Sequence, residues 1–235
     1  MMMKKKVLTV LCGAWLMGAA AMAASPAVIQ DAPKAVYTHS DGSVLSIQYP
    51  SITMTENAGA AQLIAQYFAD EQQQAKTSFD QQGNKGVKLT EEKTYTVTLN
   101  DGKYLSFLDE GYLYFDRAAH PTSWKTGVVF DMVTGKRITN WRDLVKPGDE
   151  KYFTLKKITN KLTLSGHVLS TYFNGLTEDP KNFYLDKSRN IHFVFGQYEV
   201  APYSSGIIDI IFYAWHDRQC SPYGYGTAKA GRKRT

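Results

Sequence analysis

Residues 198–206 read Tyr-Glu-Val-Ala-Pro-Tyr-Ser-Ser-Gly. The first four fit a strand, Pro202 cannot donate a ladder hydrogen bond, and Gly206 permits a bend into the next strand. Tyr203, Ser204 and Ser205 are therefore expected to leave regular pairing and face solvent. Phenol rings give contact area at little entropic cost, and hydroxyls give adaptable hydrogen bonds. The corner reads as a recognition rim, with Tyr198, Glu199, Pro202, Tyr203, Ser204 and Ser205 as candidate binding residues. A plain strand-to-strand corner would use the same residue types, and the two readings are compatible.

Catalytic groups are sparser. The five histidines stand at 39, 120, 167, 192 and 216, with no H-x-x-x-H or H-E-x-x-H spacing. A zinc site would have to gather ligands from distant segments, and neither a metal nor a cofactor is expected. No G-x-S-x-G elbow or phosphate-binding glycine loop occurs. The pairs Asp109-Glu110, Asp149-Glu150 and Glu178-Asp179 adjoin turn or helix-start signals and read as solvated caps, not as a glycosidase pair. Of the two cysteines, Cys12 lies in an N-terminal leader and Cys220 in a poorly patterned tail. No disulfide is expected within the mature chain.

The elements that must position the rim follow from periodicity. Residues 1–24 read as a secretory signal peptide: Lys4–Lys6, an apolar run from Val7, and Ala21 and Ala23 before the cleavage point. Localisation is accordingly expected to be periplasmic, extracellular or wall-associated, with no transmembrane helix after cleavage. Residues 25–35 read as a linker and 44–50 as a strand ended by Pro50. Ala61, Ile64, Phe68, Ala75 and Phe79 mark one face of a helix over 58–79. Strands at 95–99 and 103–108 flank Asn100-Asp101-Gly102, a tight hairpin turn. Asp-Glu-Gly-Tyr at 109–112 reads as another turn, and 128–132 as a strand. A second helix should start at Asp149 as N-cap, with Tyr152, Leu155, Ile158 and Leu162 as its apolar stripe. A short strand, a turn and a longer strand fill 179–195, and 207–215 is the last strand. The order predicts an α+β fold with antiparallel sheets and two main helices. It divides into a small N-terminal subdomain at 36–115 and a C-terminal subdomain at 116–217, followed by a basic disordered tail at 218–235.

The formal charge of +5 is terminal in origin. Three of the 27 Lys+Arg lie in the leader and five in 218–235, while all 22 Asp+Glu lie between, so 24–217 carries −3. A basic face for nucleic acid is not expected.

Three stretches carry a resemblance: Ala118–Val145, with its Ala-His-Pro step at 119–121 and Thr-Gly-Lys turn; Tyr184–Phe195; and Tyr198–Gly206. In this order and spacing the chain resembles the extracellular domain of RsiV-like anti-sigma factors. The same module stands at the N-terminus of some peptidoglycan deacetylases. The resemblance implies an α+β binding module outside the membrane that is not itself an enzyme. It implies lysozyme or another muramidase as partner and adds His120 to the binding residues. The chain departs from the family at Ala118, where a glycine is usual, and at Gly196-Gln197, where a proline is common. Only six residues precede the apolar run, so a cytoplasmic sigma-binding segment is not expected. Peptidoglycan or an anionic wall polymer is the other candidate partner. A wall hydrolase or deacetylase with a dispersed site using His120 is one alternative function, and a structural or adhesion protein of the envelope is another.

Overall fold

The structure is a computed structural model that describes residues 25–82 and 86–212. The leader, the tail with Cys220, and the last three residues of the 207–215 strand with its flank at 216–217 lie outside the described residues. The order is β1 (Val28–Asp31), β2 (Ala35–Thr38), β3 (Val44–Ile47), β4 (Pro50–Thr53), α1 (Ala58–Gln82), β5 (Leu89–Asn100), β6 (Tyr104–Phe115), β7 (Thr122–Asp131) and β8 (Arg137–Ile138), then α2 (Leu155–Thr163), β9 (Phe183–Leu185), β10 (Ile191–Phe195) and β11 (Ile208–Phe212). Two helices with largely antiparallel sheets make the fold α+β, as the sequence pattern predicts.

A six-stranded sheet, ordered β2-β3-β5-β6-β7-β8, forms the centre; β3 and β5 run parallel and every other pair antiparallel. Alternation sends its side chains to two cores. Leu105, Phe107, Val128 and Phe130 point toward α1, whose Ile64, Phe68, Ala75 and Phe79 cover that face. Val129 points the other way, into a core with Trp141, Ile158 and Leu162. A register shift between Val97 and Leu99 turns Leu99 to that second face. Asn57 caps α1, its Oδ1 accepting from Ala60 N at 3.1 Å, and its Nδ2 donates to Val133 O at 2.7 Å, tying the helix start to the end of β7.

A three-stranded antiparallel sheet, β11-β10-β9, supplies the rest of the second core through Phe183, Leu185, Ile191, Phe193, Phe195, Ile208 and Ile210. Its β9 edge sits directly on β7. Asn182 Oδ1 accepts from Gly127 N and its Nδ2 donates to Lys125 O, both at 2.7 Å. A Cβ on Gly127 would lie 1.8 Å from Phe183 O, so only glycine allows this approach.

Several local expectations meet a different structure. The 25–35 linker contains β1, which pairs with β4, and Pro50 begins β4 instead of ending β3. The divide at 115/116 falls inside the β6–β7 hairpin, where Leu113 faces Thr122 in one sheet. Residues 109–112 form no turn: β6 runs through them, and Gly111 lies under the Trp124 ring, which a Cβ would meet at 2.5 Å. Asp149 precedes a 3-10 turn at Glu150–Tyr152 without capping it through its side chain, while Thr154 caps α2 by accepting from Lys157 N. Tyr152 is consequently exposed, whereas Ile158 and Leu162 are buried.

Candidate functional site

The β10–β11 connection and the β6–β7 connection meet at one end of the molecule. Phe195 pairs with Ile208, so residues 196–207 leave and re-enter the three-stranded sheet at one level. Val200 and Ala201 are buried and anchor the loop in the second core. Tyr198–Ala201, expected as strand, are not: β10 ends at Phe195 and the chain turns at once, with Glu199 N donating to Gly196 O at 3.2 Å. Pro202, in an extended conformation, therefore ends no ladder and only precedes a 3-10 turn at Tyr203–Ser205. Gly206, at φ +67°, then redirects the chain into β11. Gln197 Oε1 accepts from Ser123 N at 3.0 Å and pins the loop to the start of β7.

The aromatic groups converge. His120 stacks on Tyr203 with ring centroids 3.7 Å apart and planes 26° from parallel. Tyr198 lies 5.7 Å from Tyr203, centroid to centroid, and its hydroxyl is 3.5 Å from His120 Nε2. Tyr203 donates to Pro121 O at 3.0 Å, which fixes the stack from the tyrosine side. Tyr198 is 65% exposed, and its φ of +66° is the left-handed region that non-glycine residues enter at a cost. Arg117, in the opposing loop, also has a positive φ, of 67°.

The other candidates take different places. Glu199 turns back on its own loop, its Oε2 accepting from Gly196 N at 2.7 Å. Ser205 does not project outward; its hydroxyl donates to Val168 O at 2.7 Å. Ser204 and Pro202 are exposed. The Ser205 bond, with Ser170 N donating to Val200 O at 3.0 Å, docks the 164–173 loop beside the rim. That loop exposes Val168 and Tyr172, the latter by 89%, and neither was among the candidates read from sequence. Their signal was present in Ser-Thr-Tyr-Phe at 170–173, an aromatic pair in a loop rich in small and polar residues.

A second histidine assembly lies on the outer face of the three-stranded sheet. Tyr184 donates to Asp209 Oδ2 at 2.6 Å, and burial followed by this bond raises the phenol's pKa. His192 stacks on Tyr184, with Nδ1 2.8 Å from Asp209 Oδ1 and Nε2 3.5 Å from Asp186 Oδ2. Burial opposes ionisation of Asp186, but Asn190 and the Ser188 N–H outweigh it and hold its pKa down. Both imidazole nitrogens face carboxylates, an arrangement that fixes a ring and leaves neither nitrogen aimed at a nucleophile. Among the described residues, no group of three or more His, Cys, Asp or Glu is arranged to hold a metal ion. No described helix is long and apolar enough to cross a membrane.

The fold and rim define an α+β module with an exposed aromatic loop surface. Residues 142–212, which include α2, β9–β11 and the 196–206 loop, match a family described as "Protein of unknown function (DUF3298)". Two solved structures of that family share the architecture. A member from Bacteroides fragilis is 18% identical, with a TM-score of 0.55 over 82% of this chain and 92% of that one. A member from Pseudomonas aeruginosa is 11% identical, with a TM-score of 0.52 over 80% and 90%. At these identities the likeness is one of fold. No curated protein matches the chain in sequence.

Proposed function

We propose that this chain is an exported, non-enzymatic binding module whose rim of Tyr198, Tyr203 and His120 contacts a muramidase of the lysozyme type. The carrying observation is the His120–Tyr203 stack, which joins two stretches of the RsiV-like resemblance more than eighty residues apart in sequence. Tyrosine and histidine rings held by a sheet scaffold supply preorganised contact area, with Val168 and Tyr172 extending it. A muramidase cleft is lined by carboxylates, which phenol and imidazole N–H or O–H groups can donate to. The acidic 24–217 body adds a modest, salt-dependent attraction for a basic lysozyme.

Titration of residues 25–235 with lysozyme, beside a pull-down on purified cell wall, tests this reading. Binding that weakens at least tenfold, about 1.4 kcal/mol, in both Tyr203→Ala and His120→Ala supports it. A Kd weaker than about 1 mM for the unsubstituted protein refutes the muramidase assignment. Retention on wall alone would assign the rim to peptidoglycan or an anionic wall polymer.

A further inference from the structure

Asp109 sits on β6 under α1, in the core between helix and sheet, and is only 7% exposed. Its Oδ2 accepts from Tyr49 OH at 3.4 Å, a long bond. Its Oδ1 is buried with no hydrogen-bond partner among the described residues. The charged and titratable groups around it come from every packed element. Tyr49 belongs to the β3–β4 connection, Tyr67 and Glu71 to α1, Lys93 to β5, and Glu110 to β6 itself. Tyr95 is its cross-strand partner on β5, and Thr126, which does not titrate, faces it from β7. Arg137 of β8 acts at one remove, its guanidinium 5.2 Å from the Tyr67 ring centroid. Glu71 thus faces Asp109 beside one nearby lysine that is shared with the Trp124 ring at 5.7 Å, while Glu110, its strand neighbour, turns to the other face and pairs with Lys125 at 2.7 Å. An ionised carboxylate in such a place lacks both solvation and full pairing. A protonated one supplies a donor that a phenol or carboxylate oxygen can accept.

We propose that Asp109 is a proton-linked latch between α1 and the central sheet, holding the helix more firmly when its carboxyl is protonated.

Burial first, then Glu71, pushes the Asp109 pKa up to about 6, against the pull of Lys93. The sign follows from linkage. A carboxyl whose pKa is higher in the folded than in the unfolded state favours folding below the unfolded value of 3.8. That contribution is lost as pH rises through about 6. The latch is therefore strongest in acid and weakest at neutral pH.

Amide hydrogen exchange of α1 in the full chain between pH 4 and 8, corrected for intrinsic rates, tests the proposal. The helix-opening equilibrium is expected to rise about a hundredfold across the window, and to be nearly flat in Asp109→Asn. In Glu71→Gln, which removes a half-exposed neighbour, the midpoint is expected at lower pH. A flat profile in the unsubstituted protein, or an unchanged profile in Asp109→Asn, overturns the proposal. If Asp109→Asn does not fold, an unmoved midpoint in Glu71→Gln overturns it equally, and a downward shift supports it.

Discussion

Tyr198 offers a test that separates the rim's conformation from its contacts. At φ +66° the backbone lies where a non-glycine residue costs about 1–2 kcal/mol relative to the right-handed region. The ring is 65% exposed, so roughly a third of a tyrosine's area is buried, about 50–90 Å², worth about 1–2 kcal/mol at ~25 cal/mol per Å². Tyr198→Ala removes the ring and keeps the backbone cost, and should lower stability by about 1–2 kcal/mol. Tyr198→Gly loses the same ring but relieves the backbone, less about 0.5–1 kcal/mol for glycine's greater freedom when unfolded. The glycine variant should thus be the more stable of the two by about 0.5–1 kcal/mol. Urea denaturation followed by tryptophan fluorescence resolves this, because the gap moves the midpoint by roughly 0.3–0.5 M at typical m-values. Both variants lack the ring, so both should lose the same affinity for lysozyme, about tenfold or more. An alanine variant at least as stable as the glycine variant would refute the backbone argument. Unchanged binding in both would remove Tyr198 from the contact surface.

Two further substitutions test the frame that carries the rim. Gly127→Ala places a methyl group against the Phe183 backbone, which cannot rotate away; a loss of about 3 kcal/mol or more is expected in urea denaturation, together with displacement of the 196–206 loop seen by NMR. Arg189→Ala removes the guanidinium from Asp101, the residue that caps the β5–β6 turn by accepting from Lys103 N and Tyr104 N. Burial opposes ionisation of Asp101, but the Tyr104 N–H, Arg189 and the Lys103 N–H outweigh it and hold its pKa below the ordinary value. A pKa depressed in the folded state contributes stability above the unfolded value and loses it as pH falls through the folded one. The variant should be about 1–2 kcal/mol less stable at pH 7, with the difference shrinking in acid below the usual aspartate range; a constant difference would count against the ion pair.

The parts legible in the sequence are those set by near neighbours. The five apolar residues of α1 repeat at helical spacing and all five are buried. Asp101-Gly102 supplied the hairpin because the turn needs a positive φ, and Gly102 adopts 82°. Where the reading failed, a distant residue decided the outcome. Asp109 to Tyr112 carry every local mark of a turn, yet Trp124 needs Gly111 flat beneath it, and Glu110 pairs with Lys125 at 2.7 Å across the β6–β7 ladder. Val28–Asp31 looks like a linker because its partner, β4, lies beyond two intervening strands. Tyr152 fits the α2 stripe only for a helix starting at Asp149; with Thr154 as the cap, the stripe begins later. The shared central sheet was illegible for the same reason, since β5 to β7 present alternate residues to two cores that sequence order assigns to different halves.

The rim obeys the same division between local and distant causes. Pro202 and Gly206 shape the 3-10 turn and the re-entry into β11 through their own backbone, but β10 has already stopped at Phe195. They do not explain which side chains face out. That sorting depends on Gly196, Val168, Pro121 and Ser123: the first two engage Glu199 and Ser205, while Pro121 O and Ser123 N hold Tyr203 and Gln197. The result is a loop whose polar groups are largely internal and whose rings are at the surface, facing a second loop that supplies His120. Each of these loops also holds one non-glycine residue, Arg117 or Tyr198, at positive φ. Such conformations persist only where the surroundings over-determine them, and they gather at sites kept for something other than stability. Glycine at 198 would relieve the backbone but forfeit the ring's buried third and its packing against Tyr203, leaving the loop about 0.5–1 kcal/mol less stable.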